Sequence, residues 1–140
     1  LLMIDVDHFK RINDTHGHLA GDSVLKEISR RIASQIRSSD TGARFGGDEF
    51  AVLLGNGRAG DLERLAGRLT AVMSATPVSL DVEGGERVTL SIGGALAEPA
   101  PDERDYRSLA ERLMAEADAA LYRAKSAGRD QFLIASRIVR

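Results

Sequence analysis

Arg44-Phe-Gly-Gly-Asp-Glu-Phe50 is the stretch that organises this 140-residue chain, and an apolar run at residues 51–54 comes directly after it. The Gly-Gly pair readily adopts positive φ values, so it predicts a tight hairpin between two strands. Asp48 and Glu49 then lie at the hairpin tip. Asp alone is typical of turns, but two adjacent carboxylates repel each other unless a cation holds them. A metal or phosphate site and a plain polar turn are both consistent with this stretch.

The composition is that of a single globular domain. The chain is 43% hydrophobic and 29% charged, and it is long enough to bury a sizeable core. It has no cysteine, which excludes disulfides and thiolate metal ligands. It shows neither a membrane-length apolar run nor a signal peptide, and its net charge of −2 gives no broad basic surface. We therefore expect a single domain over residues 1–140 that contacts neither nucleic acid nor membrane. We expect this domain to be cytoplasmic, within a full-length protein that upstream segments could anchor to a membrane.

Hydrophobic periodicity predicts an α+β fold. The predicted elements are a strand at 1–6, a helical turn and loop at 10–21, a helix at 22–36, a hairpin of 43–45 and 50–54, a helix at 61–73, a second hairpin of 78–82 and 88–92 that turns at 83–86, a long helix covering 109–124, and a strand at 131–135. This order matches a ferredoxin-like βαββαβ core with an extra β-hairpin. The central sheet is expected to be mainly antiparallel and flanked by helices.

Asp5 interrupts the first apolar run and is therefore costly to bury unless it is paired or bound to a cation. Asp7 lies two residues further on, so both side chains share one face of an extended strand. The predicted topology makes this strand a neighbour of the hairpin, so Asp5 and Asp48 converge. Two carboxylates and the Val6 carbonyl suit Mg²⁺, which supports nucleotidyl transfer. The alternative is a solvated turn with a buried ion pair between Asp5 and Arg44.

Three cations are candidates for holding the phosphates of a nucleotide. Lys125 and Arg129 flank the end of the last predicted helix, and Lys10 lies close to Asp5 in the sequence. Cations at a helix C-terminus also interact favourably with the helix dipole, so the spacing alone leaves both interpretations open.

Polar residues between the first strand and the first long helix could read a base. Asn13 and Asp22 can match the donors and acceptors of a guanine edge, although Asp22 is equally suited to cap a helix N-terminus. His16 and His18 lie nearby but lack the i, i+4 spacing of a zinc site, which makes zinc a poor candidate.

Residues 55–60 form a literal GxGxxG pattern before a helix, with Asp81 about twenty residues on. A dinucleotide fold would explain it, but the helix leads into a predicted hairpin rather than into further βα units. It would also leave the carboxylates at 5, 48 and 49 without a role. A flexible turn is the favoured interpretation.

Taken together, the motifs resemble the GGDEF family of diguanylate cyclases over almost the whole chain. The motifs that match in order are residues 3–14, 17–22, 44–50, 91–93 and 117–129. The resemblance implies a palm-type nucleotide-cyclase fold in which two GTP molecules become cyclic di-GMP and two pyrophosphates. Each copy of the domain would hold one GTP, and two copies would face each other as a homodimer.

The resemblance also implies roles for individual residues. Mg²⁺, for which Mn²⁺ can substitute, would be bound by Asp5, the Val6 carbonyl, Asp48 and Glu49. Asp48, Glu49 and Lys10 would act in catalysis, and Asn13 and Asp22 would read guanine. The phosphates would be held by His8, Phe9, Lys10, Lys125 and Arg129. Arg37 and Asp40 match the RxxD site, which in the family binds product and inhibits.

The chain departs from the family pattern at its start. The usual Asp-Pro-Leu-Thr-Gly-Leu-x-Asn-Arg segment before the first strand is absent from this sequence. We therefore expect the sequence to be a piece of a longer protein, with a sensory or dimerising module upstream. The rival hypothesis is a non-catalytic module that binds GTP or cyclic di-GMP, although the intact Gly-Gly-Asp-Glu stretch argues against it.

Overall fold

The fold is a five-stranded sheet with helices on both faces and a separate two-stranded hairpin. The computed structural model describes residues 1–80 and 82–140. In chain order the elements are β1 (Leu2–Val6), α1 (Phe9–His16), α2 (His18–Gln35), β2 (Thr41–Arg44), β3 (Glu49–Leu53), α3 (Ala59–Ala75), β4 (Val78–Leu80), β5 (Val82–Glu86), β6 (Leu90–Gly94), α4 (Tyr106–Ser126) and β7 (Gln131–Ile134).

The central sheet has the strand order β2-β3-β1-β6-β7. All neighbouring strands are antiparallel except β6 and β7, which are parallel. The first four strands of this order reproduce the ferredoxin-like plan, in which the first strand lies between the last strand and the second hairpin strand. The predicted α+β fold and mainly antiparallel sheet are therefore confirmed, with β7 added at one edge and β4–β5 inserted as the extra hairpin.

Strand β1 lies at the centre of the sheet and is buried on both faces. Leu2 and Ile4 pack into the large core with α2 and α3, whereas Met3 packs against Ala117 and Leu121 of α4. Because side chains alternate across a strand, α2 and α3 cover one face of the sheet and α4 covers the other. This burial explains why β1 is a nearly continuous apolar run.

The prediction of a helical turn followed by a loop at residues 10–21 is right about the helix and wrong about the loop, since nearly the whole segment is helical. Helix α1 occupies most of it, and α2 already begins at His18 after a one-residue break at Gly17, whose φ is 87°. Asp22 therefore lies inside α2 and is not its N-cap. The polar composition indicated a loop, but Ile12 is buried in the main core. Tertiary packing of this kind overrides a weak local propensity.

The predicted pairing of the second hairpin is also wrong. Strand β4 pairs with β5, whereas residues 90–94 form β6 between β1 and β7 in the central sheet. All five residues of β6 are buried, so this strand removes more apolar surface from water in the sheet than it could in a peripheral hairpin. Asp81, which belonged to the predicted strand, lies outside the described residues.

Helix α4 crosses β6 at very short range. A Cβ added at Gly93 would overlap the Leu121 nitrogen and the Ala117 carbonyl oxygen, so only glycine fits here. This contact fixes the end of α4 against the strand that neighbours β1. Within the described part of the chain, no helix is both long and apolar enough to cross a membrane.

Candidate active site

The carboxylates predicted to converge meet where β1 and β3 pair. Asp5 lies opposite Glu49 in the antiparallel register. One residue further along, the Val6 N–H donates a hydrogen bond of 3.1 Å to the Asp48 carbonyl oxygen. The structure thus brings together the four residues for which the sequence predicts a metal site.

Asp5 is the buried member of this group, with 7% of its surface exposed. Its Oδ2 pairs with the Lys125 ammonium, while its Oδ1 is buried without a hydrogen-bond partner among residues 1–80 and 82–140. Burial raises the pKa of Asp5, the Lys125 hydrogen bond opposes this increase, and the Asp48 and Glu49 charges add to it. A buried carboxylate oxygen without a donor is costly, so Asp5 is suited to receive a cation.

Arg44 does not pair with Asp5, and the predicted alternative is therefore wrong. Its guanidinium instead donates to the carbonyl oxygens of Gly46 and Gly47, at 3.1 and 2.7 Å. The turn is also closed by the Phe45 N–H, which donates to the Glu49 carbonyl oxygen at 2.8 Å. Arg44 therefore holds the shape of the loop that presents Asp48 and Glu49.

The reason for the glycines in this turn differs from the prediction. The described glycines with positive φ are Gly17, Gly85 and Gly128, so neither Gly46 nor Gly47 adopts the predicted left-handed conformation. Space is the constraint at Gly46, because a Cβ there would lie 2.5 Å from Glu49 Oε2. The Glu49 side chain folds back over the turn, and glycine leaves room for it.

Helix α1 starts shortly after β1 and presents its N-terminus at the same end of the sheet. His8 precedes it in a left-handed conformation, with φ of 56°, and Phe9 is its first residue. The N–H groups of a helix N-terminus are suited to bind phosphate. Lys10 is exposed and bridges to Asp14 at 3.0 Å, so its ammonium can be redirected at little cost.

The two residues predicted to read guanine lie where α1 meets α2. Asn13 Oδ1 is buried and has no hydrogen-bond partner in the described part of the chain, and Asp22 is exposed on α2. A Cβ added at Gly21 would overlap Asn13 Oδ1. Gly21 was missed as a functional candidate. Its position beside Asp22 in the sequence was the available signal, but the contact with Asn13 depends on the unexpected helix α1.

The cations Lys125 and Arg129 lie at the end of α4 and in the turn after it. Lys125 is in the last helical turn, from which it contacts Asp5. Arg129 and Asp130 both have positive φ, and the Asp130 N–H donates to Asp7 Oδ2 at 3.0 Å. Asp7 therefore links this turn to β1. The sequence placed Asp7 on the face of Asp5 but assigned it no role.

Arg37 and Asp40 form a turn between α2 and β2, at the other end of the β2–β3 hairpin from Asp48. The Arg37 N–H donates to Asp40 Oδ2 at 2.9 Å, and the Asp40 N–H donates to the Arg37 carbonyl oxygen at 3.0 Å. The two residues line a surface cavity with residues 54–57, Arg64 and Arg68. The GxGxxG segment thus borders the RxxD turn and is not part of a dinucleotide fold.

His16, which lies near the site in the sequence, contacts a carboxylate of β5. His16 Nε2 lies 3.1 Å from Glu86 Oε2, and Arg11 pairs with the same carboxylate. These contacts tie α1 to β5. Among residues 1–80 and 82–140, no group of three or more His, Asp or Glu side chains is arranged to hold a metal ion.

Comparison with protein families shows which family carries these sequence motifs. The family model described as "Diguanylate cyclase, GGDEF domain" matches residues 1–131. The chain is 39% identical over 131 residues to diguanylate cyclase A of Treponema denticola, covering 94% of the chain and 33% of the relative. It is 41% identical over 135 residues to diguanylate cyclase DgcP of Pseudomonas aeruginosa, covering 96% of the chain and 19% of the relative. The chain therefore spans about a third or less of these two relatives.

Solved structures share the fold. The GGDEF domain of YfiN (TpbB) from Pseudomonas aeruginosa is 41% identical with a TM-score of 0.80, over 97% of this chain and 81% of that one. The GGDEF domain of DgcB from Caulobacter crescentus, solved in complex with c-di-GMP, is 30% identical with a TM-score of 0.78, over 97% of this chain and 74% of that one.

Proposed function

Because this chain belongs to the GGDEF-domain family of diguanylate cyclases, we propose that it condenses two GTP molecules into cyclic di-GMP and two pyrophosphates. The observation that carries this proposal is the convergence of Asp5, Val6, Asp48 and Glu49, with one buried Asp5 oxygen left without a donor. Such an arrangement suits chemistry at a metal-bound triphosphate. It is not needed for a polar hairpin turn.

The oxygen donors at this point are of the kind that suits a magnesium ion, although the described Asp5, Asp48 and Glu49 side chains are not arranged as a ready-made metal site. Asp5, the Val6 carbonyl and Asp48 would hold it together with Glu49, and water and phosphate oxygens would complete the octahedral shell that Mg²⁺ prefers. When bound, Mg²⁺ or Mn²⁺ would neutralise charge on the triphosphate and favour ionisation of the attacking hydroxyl. Lys125, which pairs with Asp5 Oδ2, would supply positive charge for the phosphates.

The chain's own residues would orient the nucleotide and move the proton. Asn13 and Asp22 would bind guanine, and the N-terminus of α1 at His8 and Phe9 would bind phosphate. Lys10, Lys125 and Arg129 would supply the positive charge that stabilises the triphosphate during transfer. Asp48, with Glu49 beside it, would accept the 3′-hydroxyl proton as that oxygen attacks the α-phosphorus of the second GTP and pyrophosphate leaves.

The reaction requires two copies of the chain, because each would bind a single GTP and supply one of the two attacking hydroxyls. We therefore propose a homodimer in which the two nucleotide sites face each other. The chain matches only part of its curated relatives, and an upstream sensory or dimerising module would control this encounter in the whole protein.

Product inhibition is proposed at Arg37 and Asp40. Support comes from the surface cavity that these residues share with Arg68 and with Arg64, which pairs with Asp61 there, since guanidinium groups bind phosphate diesters with paired hydrogen bonds. Arg37→Ala should turn over GTP normally and lose inhibition by added cyclic di-GMP. Unchanged inhibition would mean that the cavity does not bind product.

The proposed activity is tested by incubating the protein with GTP and Mg²⁺ and separating the nucleotides by chromatography. The wild-type protein should yield cyclic di-GMP and pyrophosphate in a ratio of one to two. Asp48→Ala should yield none, since it removes both a metal ligand and the proton acceptor. Product at the wild-type rate from Asp48→Ala would contradict the carboxylate site. If the wild type binds GTP and yields no product, the rival hypothesis of a binding module is favoured.

A further inference from the structure

Asp7 is a buried carboxylate that the proposed mechanism does not use. It comes directly after β1 and has 6% of its surface exposed. Its Oδ1 accepts a hydrogen bond from Ser91 Oγ at 2.6 Å, and its Oδ2 accepts from Thr89 Oγ1 at 2.7 Å and from the Asp130 N–H at 3.0 Å. A buried carboxylate needs such donors to replace the hydrogen bonds that it would make to water. Both of its oxygens are therefore already in use.

This environment differs from that of Asp5, two residues earlier. Asp5 has one oxygen without a donor, whereas both oxygens of Asp7 are occupied by hydroxyl and amide donors. A cation at Asp7 would have to displace those donors inside the fold. The two aspartates therefore differ in role. Asp5 is suited to bind a cation, whereas Asp7 is suited to fix the groups that donate hydrogen bonds to it.

The partner that matters is the turn after α4. Gly128 has φ of 120°, and the next two residues, Arg129 and Asp130, have φ of 63° and 48°. The left-handed region is unfavourable for a non-glycine residue because its Cβ crowds the backbone. Such residues persist only where the surrounding structure holds them. The N–H that donates to Asp7 belongs to the peptide unit joining Arg129 to Asp130. This hydrogen bond therefore fixes the backbone from which the Arg129 side chain extends.

We propose that Asp7 is a positioning residue that, through its hydrogen bond to the Asp130 N–H, holds Arg129 in place to bind the triphosphate. The inference rests on the proposed GTP substrate and deepens it. Asp7 acts through hydrogen-bond acceptance and not through its charge. It also connects the strand that carries Asp5 to the turn that carries Arg129, so the metal site and the phosphate site keep a fixed separation.

The test is a double-mutant cycle between Asp7 and Arg129, read out as binding of 3′-deoxy-GTP in the presence of Mg²⁺. This nucleotide lacks the attacking hydroxyl, so affinity is measured by calorimetry without turnover. Asp7→Ala and Arg129→Ala should each weaken binding by roughly tenfold, the loss of one charge-assisted contact. The double variant should bind no more weakly than Arg129→Ala alone, because Asp7 acts through Arg129.

Asp7→Asn separates hydrogen bonding from charge. Its amide oxygen can accept from the Asp130 N–H and from Thr89, while its NH₂ group donates to Ser91 Oγ, which is able to accept. We expect this variant to bind 3′-deoxy-GTP within about twofold of the wild type. If thermal melts show that Asp7→Ala does not fold, Asp7→Ser takes its place in the cycle, since its shorter hydroxyl cannot reach the Asp130 N–H.

Three results would overturn the inference while wild-type binding stands. The first is that Asp7→Ala binds 3′-deoxy-GTP with wild-type affinity. The second is that Asp7→Ala lowers this affinity by the same factor in the wild type and in Arg129→Ala. The third is that Asp7→Asn binds as weakly as Asp7→Ala. Failure of the wild-type protein to bind 3′-deoxy-GTP would instead contradict the proposed function, and the inference would fall with it.

Discussion

At the scale of single residues, the site depends on close approaches that leave no room for a side chain. Gly21 is the clearest case, because a Cβ there would overlap Asn13 Oδ1, and Phe9 Cζ would lie 3.2 Å away. An alanine must therefore rotate the Asn13 amide or push α1 away from α2. Either change moves a group that we propose to read guanine.

Gly21→Ala should therefore weaken binding of 3′-deoxy-GTP by at least roughly tenfold, a loss of about 1.4 kcal/mol. Gly67→Ala in α3 is the matched control, because its added Cβ would meet only Phe132, at 3.8 Å. We expect the control to bind normally and to be as stable as the wild type or more so, since alanine favours helix. Equal affinities in the two variants would contradict the role of Gly21.

The residue types in the site could be predicted from the sequence, whereas several of their contacts and backbone conformations could not. The convergence of Asp5 and Asp48 could be inferred from an aspartate in an apolar strand and from the pairing of β1 with β3. The φ angle of Gly46 and the partner of Arg44 could not, because they depend on how the Glu49 side chain and the turn carbonyls fill space. Local sequence specifies which groups are present, and packing decides which of them touch.

At the scale of elements, α2 is held to the end of α3 by a buried arginine. Arg31 is 6% exposed and donates to the carbonyl oxygens of Thr76 and Pro77 at 2.7 and 3.2 Å. Its Nε donates to Glu27 at 2.9 Å, and Glu27 also pairs with Arg30. These contacts satisfy two carbonyl groups of the segment that directly follows α3.

Stability should depend on pH through Glu27. Its hydrogen bonds to Arg30 and Arg31 lower its pKa from 4.5 to about 2. The folded state therefore holds this proton less tightly than the unfolded state. The stabilisation is present above pH 4.5 and is lost as the pH falls towards 2.

Urea unfolding checks this prediction. At pH 6, Glu27→Gln should be less stable than the wild type by about 1 kcal/mol, and the difference should shrink at pH 3. Glu63→Gln, at an exposed position of α3, is the matched control and should change little at either pH. A Glu27→Gln deficit that stays constant from pH 6 to pH 3 would contradict the assignment.

The elements themselves were only partly predictable. Long periodic segments such as α3 and α4 were predicted to within a few residues. The partner of β6 was not, because residues 88–92 alternate as a hairpin strand would, and its true place between β1 and β7 depends on burial by α4. Pairing across long sequence separations is decided by the whole core and not by local pattern.

At the scale of the whole molecule, we propose that each copy holds one nucleotide and that turnover is an encounter of two copies. The residues that we propose for the metal, the guanine base and the phosphates all belong to a single chain. On this proposal one copy would bind GTP alone but would not supply both attacking hydroxyls. Turnover should consequently depend on the concentration of the protein as well as on that of GTP.

The most direct test of this claim is the initial rate of cyclic di-GMP formation at saturating GTP and Mg²⁺ over a range of protein concentrations. Sedimentation under the same conditions reports the fraction of dimer. We expect activity per mole of protein to rise with concentration and to level off as the dimer saturates. Cyclic di-GMP formed at constant activity per mole, at concentrations where the protein sediments as a monomer, would contradict the two-copy mechanism.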